Sequence, residues 1–449
     1  MDRKLFFKLV AIGFMSLLLL IPLALIEDQV RQRSSRQFEV QQSIANSAAG
    51  PQTLVGPVLA ITYREMLEPE SKRDPETGRV TTTPRYRDGA FYLPPEALVL
   101  DGDARVETRK RGIYQARLFN LNLAASGRFV IPAHLGLDAK RDIVSAEASL
   151  VLGISDPRGV GNDPEVTIAG KRHRFATPKG RPAEGDALAG PRLAIPLGPI
   201  NLAAATPLEF SFPLALTCTE RLAIAPTGEA NTVSLRSDWR HPSFGGRFLP
   251  REREVGDGGF TARWEVSHLA RNFANALGAT TTPAPEVIEV SFMDPVNIYL
   301  QSERAVKYGI LFIALTFAGF FLTEILRRAP IHPLQYLLVG LALALFFLLL
   351  IALSEHLPFV AAYGIAAAGC IALIGTYLAG ALGGTRPALA FAGGLTGLYG
   401  VLYGVLLSED NSLLMGSLLL FLALGAVMIT TRRVDWYRID PRSVPQRAD

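Results

Sequence analysis

The residues able to do chemistry are few and scattered. His241-Pro242-Ser243-Phe244-Gly245-Gly246 places an imidazole two positions from a hydroxyl. Nucleophilic catalysis needs more: a base within reach of the hydroxyl, a third group to orient the base, and a turn that presents the nucleophile. The G-x-S-x-G elbow is absent, and both His-Pro and Gly-Gly read as turn formers. Trp239, His241, Ser243, Phe244 and Arg251, with Asp238 beside them, are therefore a candidate binding or packing surface. Asp156-Pro157-Arg158-Gly159-Val160-Gly161 lacks the third glycine and the helix of a dinucleotide loop, so it reads as a plain loop. Glu252 and Glu254 form an acidic pair, but their separation in space, which would decide acid and base roles, is not a property of sequence. The histidines at 134, 173, 241, 268, 332 and 356 are dispersed, and no Cys/His cluster has zinc spacing. No catalytic, cofactor-binding or metal-binding residues are assigned, and the expected class is non-enzymatic.

Ionisable residues inside apolar sequence are a second source of chemistry, because a charge deep in hydrocarbon usually marks a pathway. Lys8 interrupts the first apolar run and is expected to extend to the headgroups. Glu324, Arg327 and Arg328 end one run, and Glu355 and His356 end the next. At the ends they read as interfacial charges that cap and pair. With no charge at the middle of the later runs, ion-coupled transport lacks its usual residues. Gly393, Gly397, Gly400 and Gly404 carry two G-x-x-x-G spacings, and Gly364, Ala368 and Ala372 echo them on the preceding run. Small residues let helices approach closely in lipid, so these faces are expected to pack within the membrane bundle, with homodimerisation as the alternative.

The elements that would position these residues fall into two populations. Leu337 to Leu353 has no charge and no Pro, and with Leu334-Gln335-Tyr336 it makes about 30 Å of helix, one hydrocarbon core thick. Val306–Thr323, Leu334–Leu353, Phe359–Leu382, Ala388–Leu407 and Leu413–Thr430 are all long enough to span. Leu5 to Ile26 is too long for a typical signal-peptide core and lacks an A-x-A site, so it reads as an uncleaved signal-anchor. Six spans result. In short connections Lys and Arg mark the cytoplasmic side. Arg327-Arg328, Arg386 and the tail arginines fall on one side; Ser354-Glu355-His356 and Ser408-Glu409-Asp410-Asn411 on the other carry none. Both termini are then cytoplasmic, and residues 27–305 extracytoplasmic.

Glu27 to Ala49 contains no Gly or Pro and should extend the first helix as a stalk up to Gly50-Pro51. A helix from Leu5 to Ala49 is about 67 Å long, which would lay the stalk against a sheet with Phe38 and Ile44 inward. From Thr53 the period becomes two. Short strands such as Leu54–Tyr63, Ala104–Arg111, Gln115–Leu123, Glu147–Ile154, Leu208–Leu216 and Phe260–Val266 alternate with turns, which predicts a β-sandwich or barrel. Glu68 to Arg87, with its prolines, is expected to be a loop, Pro157 to Leu193 a long loop or internal boundary, and Ser267 to Leu277 a short helix. The fold class is thus a polytopic α-helical membrane protein with a large β-rich periplasmic domain inserted between span 1 and span 2. Its parts are an anchor (1–26), a stalk (27–49), a β-rich domain (50–305), a five-span bundle (306–431) and a tail (432–449).

Composition agrees: the chain is 49% hydrophobic and 19% charged with net charge +4, and most of the charge lies between 27 and 305. That segment of roughly 280 residues is large enough for one substantial core. No basic patch interleaves with aromatics, which argues against nucleic acid as a partner. Cys218 lies in the β-rich part and Cys370 in a span, so no disulfide is expected.

Several stretches also resemble one family. HPLQYLLVGLALALFFLLLIALSEH (His332 to His356), ERAVKYGILFIALTFAGFF (Glu303 to Phe321), GPQTLVGP (Gly50 to Pro57), RKRGIYQARLF (Arg109 to Phe119) and WRHPSFGGRFLP (Trp239 to Pro250) look like the CreD family of bacterial inner-membrane proteins. The resemblance runs in order along nearly the whole chain. It implies a role in cell-envelope integrity and expression under a two-component system; it brings no catalytic residues. The expected partners are the lipid bilayer, other envelope proteins or cell-wall components, and a second copy of the chain. A transporter or flippase accessory and a membrane-anchored periplasmic hydrolase are the competing functions.

Overall fold

The computed structural model describes residues 3–73, 80–138, 140–177, 190–270, 286–292, 298–327, 331–381, 384–407 and 412–432. The chain divides into two compact units, Met1–Phe38 with Val296–Asp449, and Glu39–Pro295. Each is described by itself.

The first unit is helical. α1 (Arg3–Leu18) and α2 (Leu20–Ser47) follow one another with a single break at Leu19. Pro22 explains the break: it has no N–H for the Leu18 carbonyl four residues back. The break is mild, and Phe6–Ser47 runs as one continuous helix that contains an apolar stretch of span length. The unit boundary falls within α2, between Phe38 and Glu39. The remaining helices are α3 (Ile298–Lys307), α4 (Gly309–Arg327), α5 (Pro333–Ser354), α6 (Phe359–Ala381), α7 (Thr385–Leu407) and α8 (Ser412–Thr431). Phe6–Ser47, α5, α6 and α7 are each long and apolar enough to cross a membrane; α3 and α4, bent by 43° at their junction, make a fifth if they count as one. The apolar run in α8 is shorter, Leu414–Ile429. The N-terminus of α5 is fixed by a capping box: the His332 ring accepts from Leu334 N–H, and Gln335 reaches back to His332 N–H. An aromatic cluster of Phe312, Phe346, Tyr363 and Tyr399 fills the middle of the bundle.

The second unit consists of two sheets. Numbered along the chain, the first sheet runs β12 (Ser243–Gly246), β15 (Ile288–Ser291), β10 (Arg221–Ala225), β1 (Gln52–Arg73), β5 (Asp142–Ile154), β8 (Arg192–Pro199), with β2 (Val80–Leu93) also paired to β1. The second runs β13 (Glu252–Gly256), β14 (Gly259–Ser267), β11 (Ala230–Ser237), β3 (Ala97–Arg111), β4 (Tyr114–Ile131), β9 (Thr206–Thr219), β6 (Glu165–Ile168), β7 (Lys171–Arg174). Most pairings are antiparallel, while β1–β10 and β3–β11 are parallel. The alternation seen in sequence decides the inner face. On β4, Phe119, Leu121, Leu123 and Ala125 lie opposite Cys218, Leu216, Leu214 and Phe212 of β9, and all eight are buried. One core contains residues of both sheets, from Leu59 and Leu152 of the first to Phe119, Phe129 and Trp264 of the second. Two open sheets closing on a shared core make a sandwich rather than a barrel. Each large buried side chain of this kind contributes about 1.5–3 kcal/mol.

Three expectations change here. Glu68–Arg87 is strand wherever it is described, because β1 and β2 continue as a hairpin from Leu59↔Leu93 to Arg73↔Val80. Its prolines fit: Pro69 lies in the register shift between Leu67 and Glu70, and Pro84 sits on the outer strand β2, where a missing N–H disturbs nothing. Within Pro157–Leu193 the strand expected at Glu165–Ile168 is present as β6; the additions to the expected loop are a short 3-10 turn at Pro157–Gly159 and β7, while residues 178–189 lie outside the described residues. Of the helix expected over Ser267–Leu277, a 3-10 turn at His268–Ala270 is seen, and 271–277 lie outside the described residues.

The stalk expectation is half right. Ile44 is buried with Ala116 and Leu118, flanked by Val40 and Ala48. Phe38 is 56% exposed. It stands 120° around the helix from Ile44, whereas Val40 is only 40° away, so Phe38 cannot share that face. Polar contacts complete the dock: Arg111 donates to the Ser43 hydroxyl at 2.7 Å, and Arg158 donates to the Asn46 carbonyl at 2.5 Å. Both cysteines are free and buried.

Candidate functional site

Three places bring the singled-out residues together. The first surrounds Trp239, just after β11. Trp239 is buried, its indole N–H donates to the His241 carbonyl at 2.8 Å, and its ring meets Phe119 edge-on at 6.2 Å. The Arg117 guanidinium lies 4.9 Å from the ring centroid, a cation–π cover. Phe244 packs edge-on against Phe260 and Trp264, and Ser243 starts the edge strand β12 opposite Ser291. Arg251 pairs with Glu265 at 3.4 Å. Among the described residues no hydrogen bond joins the His241 ring, the Ser243 hydroxyl and a carboxylate. The Trp239 cluster does packing work.

Beside it the sandwich is open. A groove of about 760 Å³ is lined by Asp103, Arg105, Arg236, Asp238 and Glu254 over a floor of Gly259 and Phe260. Its charges are balanced rather than converging: Arg105 pairs with Asp103, Arg236 with Asp101, and the Asp238 carboxylate accepts from Val106 N–H at 3.0 Å. Gly259 has φ +120°, and a Cβ there would sit 1.9 Å from the Ser237 carbonyl oxygen, so only glycine permits this turn. A groove of this kind can bind an extended polar chain; it holds no nucleophile poised by a base. Glu252 and Glu254 stand exposed on β13, opposite Arg263 and Thr261.

The helix-to-strand junction holds the strongest electrostatics. Asp156 accepts from Arg158, from Gly50 N–H at 3.1 Å and from Arg158 N–H at 3.1 Å. The Arg158 guanidinium chiefly, helped by those two N–H groups, outweighs burial and holds the carboxyl at about 2. Gln52, fully buried, donates to the Asp156 carbonyl and accepts from Asp156 N–H. The sequence reading of this stretch as a plain loop missed that it clamps the point where α2 becomes β1.

The third place is in the helical unit. Lys8 of α1 forms an ion pair with Glu324 of α4. The second Glu324 oxygen accepts from the Tyr336 hydroxyl of α5 at 3.1 Å, and Lys8 also donates to the Ile331 carbonyl at 2.9 Å. Lys8, expected to extend to the headgroups, is engaged here by the part-buried Glu324 carboxylate. Arg327 ends α4, and Arg328 lies outside the described residues. Glu355, which caps α5, meets Arg33 at 3.5 Å and the Tyr299 hydroxyl at 3.3 Å, while His356 is exposed. Gly393, Gly397 and Gly400 are exposed with nothing within 4 Å of where a Cβ would be, and Gly404 meets only Met415 at 3.9 Å. α7 instead turns Leu395, Tyr399, Leu402 and Val405 into the bundle. Among the described residues no group of His, Cys, Asp and Glu is arranged to hold a metal ion.

These features define a polytopic membrane protein whose chain, between its first apolar helix and its later ones, carries a two-sheet unit. The chain belongs to the CreD family: the family described as "Inner membrane protein CreD" matches residues 4–437. It is 36% identical over 445 residues to the inner membrane protein CreD of Escherichia coli (strain K12), covering 97% of this chain and 95% of that one. Among solved structures, a protein of Legionella pneumophila assigned as a nutrient binding protein aligns at 10% identity and TM-score 0.23, over 50% of this chain and 77% of that one. An M1 zinc metallopeptidase of Deinococcus radiodurans aligns at 11% identity and TM-score 0.21, over 44% and 42%. Both scores are too low to bear on fold or function.

Proposed function

We propose that this chain is a non-enzymatic inner-membrane protein that supports cell-envelope integrity by presenting its two-sheet unit to envelope components. In this reading six helices cross the membrane, both termini are cytoplasmic, and residues 27–305 are periplasmic. The observation that carries it is the open groove of about 760 Å³ lined by Asp103, Arg105, Arg236, Asp238 and Glu254, on a unit set between apolar helices. Family membership supports the location. The arginine asymmetry of the short connections supports the orientation. A transporter accessory calls for a polar cavity between spans, yet the large bundle cavity among the described residues is apolar. A hydrolase calls for His241, Ser243 and a carboxylate in hydrogen-bond reach, an arrangement not present among the described residues.

Two experiments separate the parts of this proposal. A periplasm-dependent reporter joined after Asn411 is active and one joined after Arg386 silent; the reverse refutes the topology. In a strain lacking the protein, the wild-type chain restores resistance to detergents and cell-wall antibiotics, while Arg105→Glu with Glu254→Lys, both exposed, accumulates normally and fails to restore it. Full restoration by that double variant removes the groove from the function.

A further inference from the structure

The apolar cavity in the helical unit has no assigned occupant. It measures about 600 Å³, within the range of specific ligand sites, and runs between α4, α7 and α8. Its lining extends along α7 from Pro387 to Val401, about 21 Å of helix, against about 15 Å for the hydrocarbon of one leaflet. No ionisable side chain lines it. The two hydroxyls that do, Thr316 and Thr323, donate to their own helix carbonyls at Phe312 and Gly319, both at 2.8 Å. An occupant thus finds apolar surface and no free donor, which excludes a polar solute.

We infer that the cleft binds one acyl chain of an anionic phospholipid. This rests on the proposed reading of α4, α7 and α8 as membrane spans. The sign of the headgroup follows from the Pro387 end of the cleft lining. Pro387 lies in the first turn of α7, the residue before it is Arg386, and Arg386 is exposed with no ion-pair partner among the described residues. Pro387 has no N–H, so the Thr385 and Arg386 N–H groups and the positive end of the helix are what add to the guanidinium. A phosphate there, with its chain running along Gly394 toward Val401 and Leu422, satisfies both ends.

The test uses full-length protein from carbonate-washed membranes, purified in mild detergent, with bound lipid counted by native mass spectrometry. Loss of the chain from washed membranes would refute the spans themselves, separately from the lipid site. Gly394 lines the cleft and has nothing within 4 Å of its Cβ position, so Gly394→Phe directs a ring into the cleft from an open backbone position. Gly393, equally open but not in the lining, supplies the control Gly393→Phe. Wild type and Gly393→Phe retain phosphatidylglycerol in preference to phosphatidylethanolamine; Gly394→Phe retains at least fivefold less; Arg386→Gln keeps a lipid but loses the preference. Equal retention by Gly394→Phe, or no lipid held by wild type after phosphatidylglycerol is added back, overturns the inference. A second measurement does not depend on variants. Phosphatidylglycerol carrying a photoactivatable acyl chain labels 315–323 and 387–401 of wild type above the other apolar helices; even labelling of all of them, or crosslinks from this face to a second copy instead, also overturns it.

Discussion

Removing the Lys8 ammonium is the sharpest test of how the first span is held. Glu324 has three donors: Lys8, the Tyr336 hydroxyl at 3.1 Å and the Ile331 N–H at 3.3 Å. The Lys8 and Glu324 side chains are 21% and 13% exposed. Removing one partner of a buried pair costs ~3–5 kcal/mol, because the other charge is left without its counterion. The pair is only part-buried and two neutral donors remain on the carboxylate, so Lys8→Ala costs less than that, about 2 kcal/mol. Glu324→Ala costs less. The stranded ammonium keeps the Ile331 carbonyl and has a flexible stem that reaches for the interface. Taking out both charges is close to neutral by the same logic, so Lys8→Ala with Glu324→Ala melts above Lys8→Ala alone. The charge swap Lys8→Glu with Glu324→Lys recovers part of the loss. The assay is thermal melting of the full-length protein in mild detergent, with accumulation in membranes as a second readout. If Lys8→Ala melts with wild type, or the double variant is no better than that single one, the pair does not fasten α1 to α4.

Four further outcomes are expected. Ile44→Ala destabilises by about 2 kcal/mol, the low end for a buried isoleucine in a small cluster, while Phe38→Asp stays within about 0.5 kcal/mol; limited proteolysis near residue 50 reads the difference, and equal protection of both variants refutes the dock. The carboxyl of Asp156, held at about 2, stabilises fully above the ordinary carboxylate range near 4, and that contribution fades as pH falls through about 2. Melting of Asp156→Asn is consequently flatter than wild type between those limits, and parallel curves count against the clamp. Burial pushes the Cys218 thiol up to about 12, so iodoacetamide at pH 8 labels it only after denaturation; rapid labelling of the native protein would show the β4–β9 face to be open. Gly259→Ala forces a Cβ into the Ser237 carbonyl at positive φ and costs about 2–3 kcal/mol in melting, and a neutral result means the turn relaxes.

The apolar helices were legible because uninterrupted runs such as Leu337–Leu353 have few other physical fates. The sandwich was legible where residues alternate, as on β4 and β9. Glu68–Arg87 was not, because its prolines are forbidden only where a ladder needs their N–H, and only pairing tells an outer strand from a central one. The Lys8–Glu324 pair joins residues 316 apart, a distance over which no local pattern speaks. Phe38 shows a different failure: treating the stalk's apolar residues as one stripe ignored the angle between them, and Val40 with Ile44 was the pair the geometry supported. The Trp239 neighbourhood was visible in sequence as a special place, and in the structure the buried ring lies against Phe119 and under Arg117.

The two parallel pairings carry a consequence for the order of events. The Gln52–Val55 end of β1 lies beside Leu222–Ala225 of β10, and Ala97–Ala104 of β3 beside Ala230–Ser237 of β11. In each sheet an early strand waits for a partner synthesised well over a hundred residues later. Loop closure over such separations is slow, and no N-terminal fragment ending before Arg221 can complete either sheet. While the chain is being delivered, β1 and β3 each keep an open flank ready to pair with the wrong neighbour. The two sheets are therefore completed late, once the residues from Arg221 onward are available to pair with β1 and β3.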